Sequence, residues 1–191
     1  MKEPKKDLNH KEIRIITGTA KNRRLKAPDV EGFRAVQEIS KSSLFSILGD
    51  KVQNAVCLDL YAGSGNLGIE ALSRGAKWCD FVDSNYNSIK AVEENLVKCG
   101  FIEKSEVSRK EAVKFVVNSP RNYDIIFIDP FYQEITHKHL LLNLGNILNK
   151  GGIVVFFHGD TLNLQDLITD TNLKIVDERK FGKSFFTLLT L

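Results

Sequence analysis

The spacing of apolar residues changes repeatedly along the chain, and from residue 55 onward it predicts alternating strands and helices. Short apolar runs of the kind found in buried strands occur at 55–60, 78–83, 106–108, 124–128 and 152–157. Segments with the spacing of amphipathic helices lie between or after them at 66–74, 86–99, 110–119 and 136–149. Gly75, Gly100 and Gly151 stand where helix C-terminal caps are expected. Strands joined through helices favour right-handed crossovers, which predict a mostly parallel sheet covered by helices on both faces.

Both ends of the chain depart from this alternation. Residues 173–179 and 184–191 alternate around Gly182, which predicts an antiparallel hairpin that completes a seven-stranded sheet. A helix is predicted at 37–48, and before it residues 12–17 and 23–25 have the alternation of two short strands. We therefore expect residues 1–30 to form a basic arm with a small β-hairpin, and residues 31–191 to form one α/β domain with a Rossmann-like fold.

Size and composition indicate an ordinary globular domain, because the 191 residues are 42% hydrophobic and 27% charged. No apolar run approaches the roughly 20 residues that span a bilayer, and the first residues lack the apolar core of a secretory signal, so we expect a cytosolic protein. The cysteines form no C-x-x-C pair, and His137 and His139 have no evident third ligand, so we expect neither disulfides nor a metal. Without a readable exposed apolar stripe, a monomer is expected.

Positive charge is concentrated at the start of the chain. Residues 1–28 contain nine Lys or Arg and three Asp or Glu, although the whole chain has a net charge of only +3. A structured basic hairpin is typical of a protein that binds a polyanion, because each neutralised phosphate releases counterions. A solubilising tail is the alternative that charge by itself favours, but the strand pattern argues against it.

A glycine-rich turn follows the first strand of the alternating region. Gly63, Gly65 and Gly68 match G-x-G-x-x-G, which is a weak indication of a nucleotide-containing cofactor when taken by itself. Asp59 lies at the end of the preceding strand, where a carboxylate would repel a pyrophosphate and attract a cationic amino-acid group. This favours S-adenosylmethionine over NAD, and an NAD-dependent oxidoreductase is kept as the weakest alternative.

Two later positions are candidates for the rest of such a cofactor. Asp83 ends the next strand, where its carboxylate can accept hydrogen bonds from ribose hydroxyls. Glu111 and Ala112 follow the third strand and are candidates for contact with the adenine edge. For Glu111 the alternative is a plain helix-start residue.

The second candidate element is the tetrad Asp129-Pro130-Phe131-Tyr132, which follows a buried strand. The exocyclic amine of a base is a poor nucleophile because its lone pair is delocalised. Hydrogen bonds from the amine to Asp129 and to the Pro130 carbonyl would release that lone pair, and Tyr132 could stack on a flipped-out base. The tetrad therefore predicts methyl transfer to an exocyclic amine, with most catalysis from positioning and electrostatics. An Asp-Pro turn at the end of a strand is the alternative.

Taken together, several segments resemble the RsmD family of bacterial 16S rRNA (guanine-N2)-methyltransferases. They are Arg14-Ile15-Ile16 with Gly18, Arg23-Arg24-Leu25 with Pro28, Leu58 through Gly65 with Gly68, and Glu70 through Ala76. The resemblance extends from about Arg14 to the final hairpin, and the segment from the glycine turn to Ala76 is the most specific part.

The resemblance implies a class I methyltransferase fold, S-adenosylmethionine as methyl donor, and small-subunit ribosomal RNA or a 30S assembly particle as partner. By position it implies a cofactor site with Asp83 on ribose, Ala112 near adenine, and a lining of Asp59, Ala62, Gly63, Ser64 and Gly65. Asp129 and Pro130 would hold the guanine amine, and Tyr132 would stack on the ring. We expect the RNA to contact Arg14, Lys21, Arg23, Arg24, Arg34 and Lys41.

The chain departs from the family pattern at two places. The family has D-P-P followed by an aromatic residue, whereas Phe131 replaces the second proline here. The family segment R-P-T-x-[DE]-R appears as Arg34-Ala35-Val36-Gln37-Glu38-Ile39, with Lys41 as a further basic match. Two alternatives therefore stay open: the same chemistry on another acceptor, such as adenine in DNA or a protein amide, and an RNA-binding homologue with weakened activity.

Overall fold

The computed structural model describes residues 13–130 and 137–191, and the structural statements below concern that part of the chain. Its strands are β1 Ile13–Arg14, β2 Arg24–Leu25, β3 Val56–Leu60, β4 Trp78–Asp83, β5 Ser105–Arg109, β6 Tyr123–Ile128, β7 Leu148–Gly159, β8 Lys174–Phe181 and β9 Ser184–Thr190. Its α-helices are α1 Glu38–Leu48, α2 Asn66–Ser73, α3 Tyr86–Cys99, α4 Ala112–Val117, α5 His137–Leu144 and α6 Leu164–Ile168. Short 3-10 helices lie at Gly49–Val52 and Ile102–Lys104.

Within this part of the chain, strands β3 to β9 form a seven-stranded sheet in the order β5-β4-β3-β6-β7-β9-β8. The pairs among β3 to β7 are parallel, and β9 pairs antiparallel with both β7 and β8. The predicted α/β fold with a C-terminal antiparallel hairpin is therefore confirmed. Strand β3 lies between β4 and β6, and the order of the strands reverses between β3 and β6. Ligands of open α/β sheets bind beyond the strand ends at such a reversal.

Apolar clusters cover both faces of the sheet. The first contains the buried sides of α1, α2 and α3, and the second contains those of α4, α5 and α6. Because side chains alternate along a strand, Cys57 and Phe81 face the first cluster while Leu58 and Leu60 face the second. Asp59 and Asp83 share the parity of Cys57 and Phe81, so their carboxylates belong to the α1–α3 side of the sheet.

The N-terminal hairpin is also present, as the sequence predicts, and it packs against the first cluster. Strands β1 and β2 are antiparallel, with Ile13 opposite Leu25. Ile15 and Ala20 are buried in the same cluster as α1 and α2. Residues 13–30 are therefore joined to the body of the molecule by a shared core, and the division into two domains at residue 30 stays a prediction.

A buried carboxylate fixes the hairpin to the body. Glu70 in α2 is fully buried, and its two oxygens accept the backbone N–H groups of Ile16 at 2.8 Å and Thr17 at 3.0 Å. The same carboxylate binds Lys41 Nζ at 3.0 Å and Arg74 Nε at 2.8 Å. These bonds also explain why β1 is shorter than the predicted strand, because the N–H groups of Ile16 and Thr17 are directed to α2.

The assignment of Lys41 to RNA contact is wrong. Its side chain is only 1% exposed, and Nζ also donates to Arg14 O at 2.7 Å and to Asn66 Oδ1 at 2.6 Å. Burial lowers the pKa of Lys41, and the Glu70 carboxylate opposes that effect. A buried ammonium group needs this full set of partners, and these partners leave it no access to a phosphate.

The fifth helix ends earlier than its sequence pattern predicts. It ends at Leu144, and residues 148–159 form one long strand that pairs with β6. The register shifts between Tyr123 and Ile125, and Gly151, with φ of 78°, lies in the bulge opposite that shift. The expectation that Gly151 caps a helix is therefore wrong. The sheet instead extends through residues whose local pattern continued the helix.

Residues 13–130 and 137–191 contain neither a membrane-spanning helix nor a metal-binding cluster of side chains. None of the helices found there is both long and apolar enough to span a membrane. Among the same residues, no group of three or more His, Cys, Asp or Glu side chains is arranged to hold a metal ion.

We predict that Lys41→Met lowers the free energy of unfolding by about 3–5 kcal/mol, because it leaves the buried Glu70 charge without its ammonium partner. Urea titration monitored by circular dichroism measures the change. Lys114→Met is the matched control, since it breaks a helix ion pair with Glu111 in which both side chains are mostly exposed. That control should change stability by less than about 1 kcal/mol. Equal effects of the two substitutions would contradict a structural role for Lys41.

Candidate functional site

The glycine turn and Asp129 lie side by side because their strands are neighbours. Leu60, the last residue of β3, pairs in register with Ile128, the last residue of β6. The residues that follow, Tyr61 and Asp129, therefore leave the same edge of the sheet next to each other. Asp83 ends β4 on the other side of β3. The predicted cofactor and substrate elements thus share one crevice at the carboxyl ends of three adjacent parallel strands.

The turn after β3 has an unusual backbone. Tyr61, Gly63 and Gly65 all have positive φ angles, of 60°, 55° and 75°. The Gly65 N–H donates to the Ala62 carbonyl at 2.7 Å, which closes a tight turn directly before α2. A non-glycine residue with positive φ is strained, so Tyr61 marks the place where the chain is bent sharply out of the strand. The sequence carried no signal for this position.

Side chains hold the turn from three directions. Asp83 Oδ2 accepts the Gly63 N–H at 2.9 Å, and Asp59 Oδ2 accepts the Gly68 N–H at 2.9 Å. On the α3 side, the Asn95 amide donates to the Ser64 carbonyl at 2.9 Å. The turn is therefore held in one conformation by the protein itself, which lowers the entropic cost of ordering it around a ligand.

The glycines of the G-x-G-x-x-G pattern have different roles. A Cβ at Gly68 would lie 2.4 Å from Phe81 and 2.7 Å from Cys79, so Gly68 allows α2 to pack closely on β4. A Cβ at Gly63 would lie 2.8 Å from the ring of Phe33, which covers the turn from the segment after the hairpin. Gly63 and Gly65 supply the bend, while Gly68 supplies close helix–sheet packing, as in dinucleotide folds.

Negative charge gathers in the crevice. Burial raises the pKa of Asp59 well above its usual range, the Gly68 hydrogen bond opposes this, and the carboxylates of Asp129 and Asp83 raise the pKa further. Burial likewise raises the pKa of Asp83, against the hydrogen bonds from Asn85 and Gly63. Burial raises the pKa of Asp129 to about 7. Three buried or partly buried carboxyl groups, two of which raise the pKa of the third, favour a cationic ligand and disfavour a pyrophosphate.

The predicted adenine side of the site follows β5. The Lys110 N–H donates to the Asp83 carbonyl at 3.1 Å, which brings the β5–α4 link beside the end of β4. Ala112 is the first residue of α4 and is buried in the second apolar cluster. Glu111 is 63% exposed and pairs with Lys114 at 2.9 Å. Its carboxylate is thus directed along the helix surface, in accord with the alternative of a plain helix-start residue.

Of the predicted substrate tetrad, the structure describes the first two residues. Asp129 is partly exposed and Pro130 is buried. Phe131 and Tyr132 lie outside the described residues, so the predicted stacking by Tyr132 stays a prediction. The cofactor and amine contacts assigned to the other site residues also stay predictions.

Most residues predicted to bind RNA are exposed on or near the hairpin. Lys21 and Arg24 are exposed, and Arg23 is exposed while its guanidinium donates to the Lys98 carbonyl at 2.9 Å. Arg14 is half exposed and pairs with Glu38 at 2.7 Å. Arg34 is exposed immediately after Phe33, close to the glycine turn. Apart from Lys41, the basic residues predicted to bind RNA are exposed, and we refer to them together as the basic surface.

Several residues that are absent from the predicted set shape the site from outside it. Phe33 lies against the turn. At the start of α2, Asn66 accepts a hydrogen bond from the Lys41 ammonium group. Asn95 joins the turn to the hairpin exit, as its bonds to Ser64 and Lys26 show. Asn95 could have been suspected as a polar residue on the apolar side of an amphipathic helix. The other two have no local signal, because their partners lie far away in the sequence.

A family model described as "Conserved hypothetical protein 95" matches residues 13–190. The chain belongs to this family. The membership confirms the resemblance to the RsmD family drawn from the sequence. "Putative rRNA methyltransferase YlbH" of Bacillus subtilis is 34% identical over 163 residues, which cover 83% of this chain and 89% of that protein. "Ribosomal RNA small subunit methyltransferase D" of Haemophilus influenzae is 32% identical over 177 residues, which cover 90% of each.

Solved structures agree with the family assignment. "Putative methyltransferase yhhF from Escherichia coli" matches with a TM-score of 0.82 and 25% identity, over 93% of this chain and 97% of that one. The predicted class I methyltransferase fold is thereby confirmed. The family match begins at Ile13, so it includes the basic hairpin together with the α/β body.

The raised pKa of Asp129 predicts a pH-dependent contribution to stability. An aspartate with a pKa near 7 in the folded protein and near 3.9 when unfolded binds its proton more tightly in the folded state. The contribution of Asp129 to stability therefore falls as pH rises from about 4 to 7, and Asp129→Asn removes that contribution. We expect the unfolding free energy of the variant minus that of the wild type to increase over this range and then level off. Denaturant titrations at several pH values test this, and a constant difference would contradict it.

Proposed function

We propose that the chain transfers a methyl group from S-adenosylmethionine to the exocyclic 2-amino group of a guanine in small-subunit ribosomal RNA. The observation that carries the proposal is the in-register pairing of Leu60 with Ile128, which sets the glycine turn beside Asp129 in one crevice. Methyl transfer to an amine needs two parts: a turn that holds the cofactor, and a group that accepts hydrogen bonds from the amine. The names of the relatives, which are RNA methyltransferases, support this substrate class.

The crevice has the composition expected for this cofactor. Asp83 is partly exposed at the end of β4, where its carboxylate accepts the Gly63 N–H at 2.9 Å and the Asn85 N–H at 2.8 Å. It would bind the ribose hydroxyls. Asp59, Asp83 and Asp129 together create a negative field that would attract the cationic methionine part. When bound, S-adenosylmethionine would supply an electrophilic methyl carbon.

Asp129 and Pro130 would prepare the acceptor. The Asp129 carboxylate and the Pro130 carbonyl would accept the two N–H groups of the amine, which localises the nitrogen lone pair for in-line attack. The N–C bond forms as the C–S bond breaks, and one amine proton must leave the nitrogen. A carboxyl with a pKa near 7 is well suited to receive it at neutral pH. Tyr132 would stack on the base.

The basic surface around the hairpin would hold the RNA. Arg14, Lys21, Arg23, Arg24 and Arg34 are exposed there, and the hairpin is fixed to α2 by Glu70. Phosphate contacts of this kind position an RNA without reading its sequence. A ribosomal RNA substrate, free or in a 30S assembly particle, would place the reaction in the cytosol. The monomeric state stays a prediction.

We predict that Asp129→Ala lowers the rate of methyl transfer about a hundredfold or more, because it removes one polar group aimed at the reacting amine. Transfer of tritiated methyl groups to small ribosomal subunits, naked ribosomal RNA and DNA, followed by mapping of the labelled nucleotide, measures this and identifies the acceptor. Calorimetry with S-adenosylhomocysteine should show nearly unchanged affinity in the variant. NADH should not bind.

Each alternative gives its own result in the same assay. Label in DNA adenine, or in protein and not in RNA, would replace the proposed acceptor with another one. Binding of S-adenosylhomocysteine and RNA without any transfer would indicate the weakened homologue. Wild-type activity in Asp129→Ala would remove Asp129 from the mechanism.

Reversal of charge at Lys21, Arg23 and Arg24 should weaken RNA binding and flatten its salt dependence. Each lost phosphate contact lowers the slope of log K against log salt by roughly 0.7–0.9. Filter binding across a salt series measures the slope. Reversal of the exposed Lys150, Lys174 and Lys183 is the matched control, since it changes net charge equally on other elements. If both triple variants behave alike, the hairpin provides no specific contact.

A further inference from the structure

The amide of Asn95 joins two parts of the molecule that have separate proposed tasks. Asn95 lies in α3 and is only 1% exposed. Its Nδ2 donates to the Ser64 carbonyl in the glycine turn and to the Lys26 carbonyl directly after β2, both at 2.9 Å. Its Oδ1 accepts the Lys26 N–H at 2.7 Å. One buried side chain thus bridges the cofactor turn and the exit of the basic hairpin.

The chemistry of the partners fixes the orientation of this amide. The Lys26 N–H can only donate, so it must meet the oxygen, and the two carbonyls can only accept, so they must meet the nitrogen. Both amide hydrogens of Asn95 are donated in these bonds. A rotation of the side chain that broke the bond to Ser64 would also break the bonds to Lys26. An unpaired carbonyl in this buried position would cost free energy, so Lys26 and Ser64 are held in a fixed relation.

The surrounding contacts tie this bridge to both surfaces. On the hairpin side, Lys26 also pairs with Glu94 at 2.7 Å, one residue before Asn95, and Arg23 binds the Lys98 carbonyl one helical turn later. On the turn side, Ser64 lies between Gly63 and Gly65, whose backbone angles define the bend. A shift of the hairpin along α3 would therefore strain the turn through the Asn95 bonds, and a shift of the turn would strain the hairpin.

We infer that Asn95 is a positioning residue that couples RNA binding at the hairpin to cofactor binding at the glycine turn. This inference rests on the proposed function. RNA that binds the hairpin fixes the position of Lys26. Through the Asn95 amide, it also fixes the Ser64 carbonyl, so the glycine turn binds the cofactor more tightly. By linkage, the cofactor tightens RNA binding by the same factor. The protein would then favour the complex that contains both substrates.

The test measures this factor directly. Calorimetry gives the Kd of S-adenosylhomocysteine with and without saturating small-subunit ribosomal RNA, and filter binding gives the Kd of the RNA with and without S-adenosylhomocysteine. We expect at least about a fivefold tightening in the wild type, equal in both directions. In Asn95→Ala the factor should fall to about one, while each ligand still binds by itself.

A matched control loosens the same segment without touching the turn. Asn87, also in α3, donates from Nδ2 to the Asp29 carbonyl at 2.8 Å and is exposed. Asn87→Ala therefore removes one amide bond between α3 and the segment after the hairpin, and it should keep the wild-type coupling factor. Thermal melting establishes that each variant is folded before the factors are compared.

The possible results separate the inference from the function on which it rests. Wild-type protein that binds both ligands with a factor of one overturns the inference, whether or not Asn95→Ala folds. Folded Asn95→Ala that keeps the wild-type factor overturns it as well, as does a loss of coupling in Asn87→Ala equal to that in Asn95→Ala. Wild-type protein that binds S-adenosylhomocysteine and no RNA overturns the proposed function itself.

Discussion

The buried carboxylate of Glu70 is the interaction on which the arrangement of the molecule depends. It accepts two backbone N–H groups from the hairpin and binds Lys41 of α1 and Arg74, the residue directly after α2. A charge removed from water requires such a complete set of partners, so the carboxylate joins the hairpin, α1 and α2 at one point. Since α2 begins directly after the glycine turn, this also sets where the basic surface lies relative to the crevice.

The crevice itself results from the order of the parallel strands. Strands β4, β3 and β6 are adjacent, and each ends in or next to an aspartate on the same side of the sheet. Burial raises the pKa of each of these carboxyl groups, and the carboxylates of Asp129 and Asp83 raise that of Asp59 further, so a cation beside them would stabilise their charged forms. Binding of a sulfonium cofactor and stability of the free protein are thus opposed at this site, as is common where function needs polar groups close together.

Polar residues on α3 make the cofactor turn part of a larger assembly. Asn95 binds the turn and the hairpin exit, and Asp83 binds the turn and the start of α3 through Asn85. The turn therefore has little freedom of its own. The departures at Ala35 and Val36 lie between Phe33, which covers Gly63, and Glu38, which pairs with Arg14. Substitutions in that segment thus lie between the glycine turn and the basic surface, so they would affect both cofactor binding and RNA binding.

Sequence patterns were sufficient to locate the elements and to assign their class. Apolar runs and helical spacing located strands β3 to β7 and helix α3, because burial of apolar side chains dominates their conformation. The glycine turn and Asp129 were recognisable as strand-end motifs for the same reason. Only the tertiary structure decided that Lys41 is a buried counter-ion, that α5 ends at Leu144, and that Asn95 bridges turn and hairpin. Each depends on a partner distant in sequence, and a local pattern carries no information about which polar groups will meet.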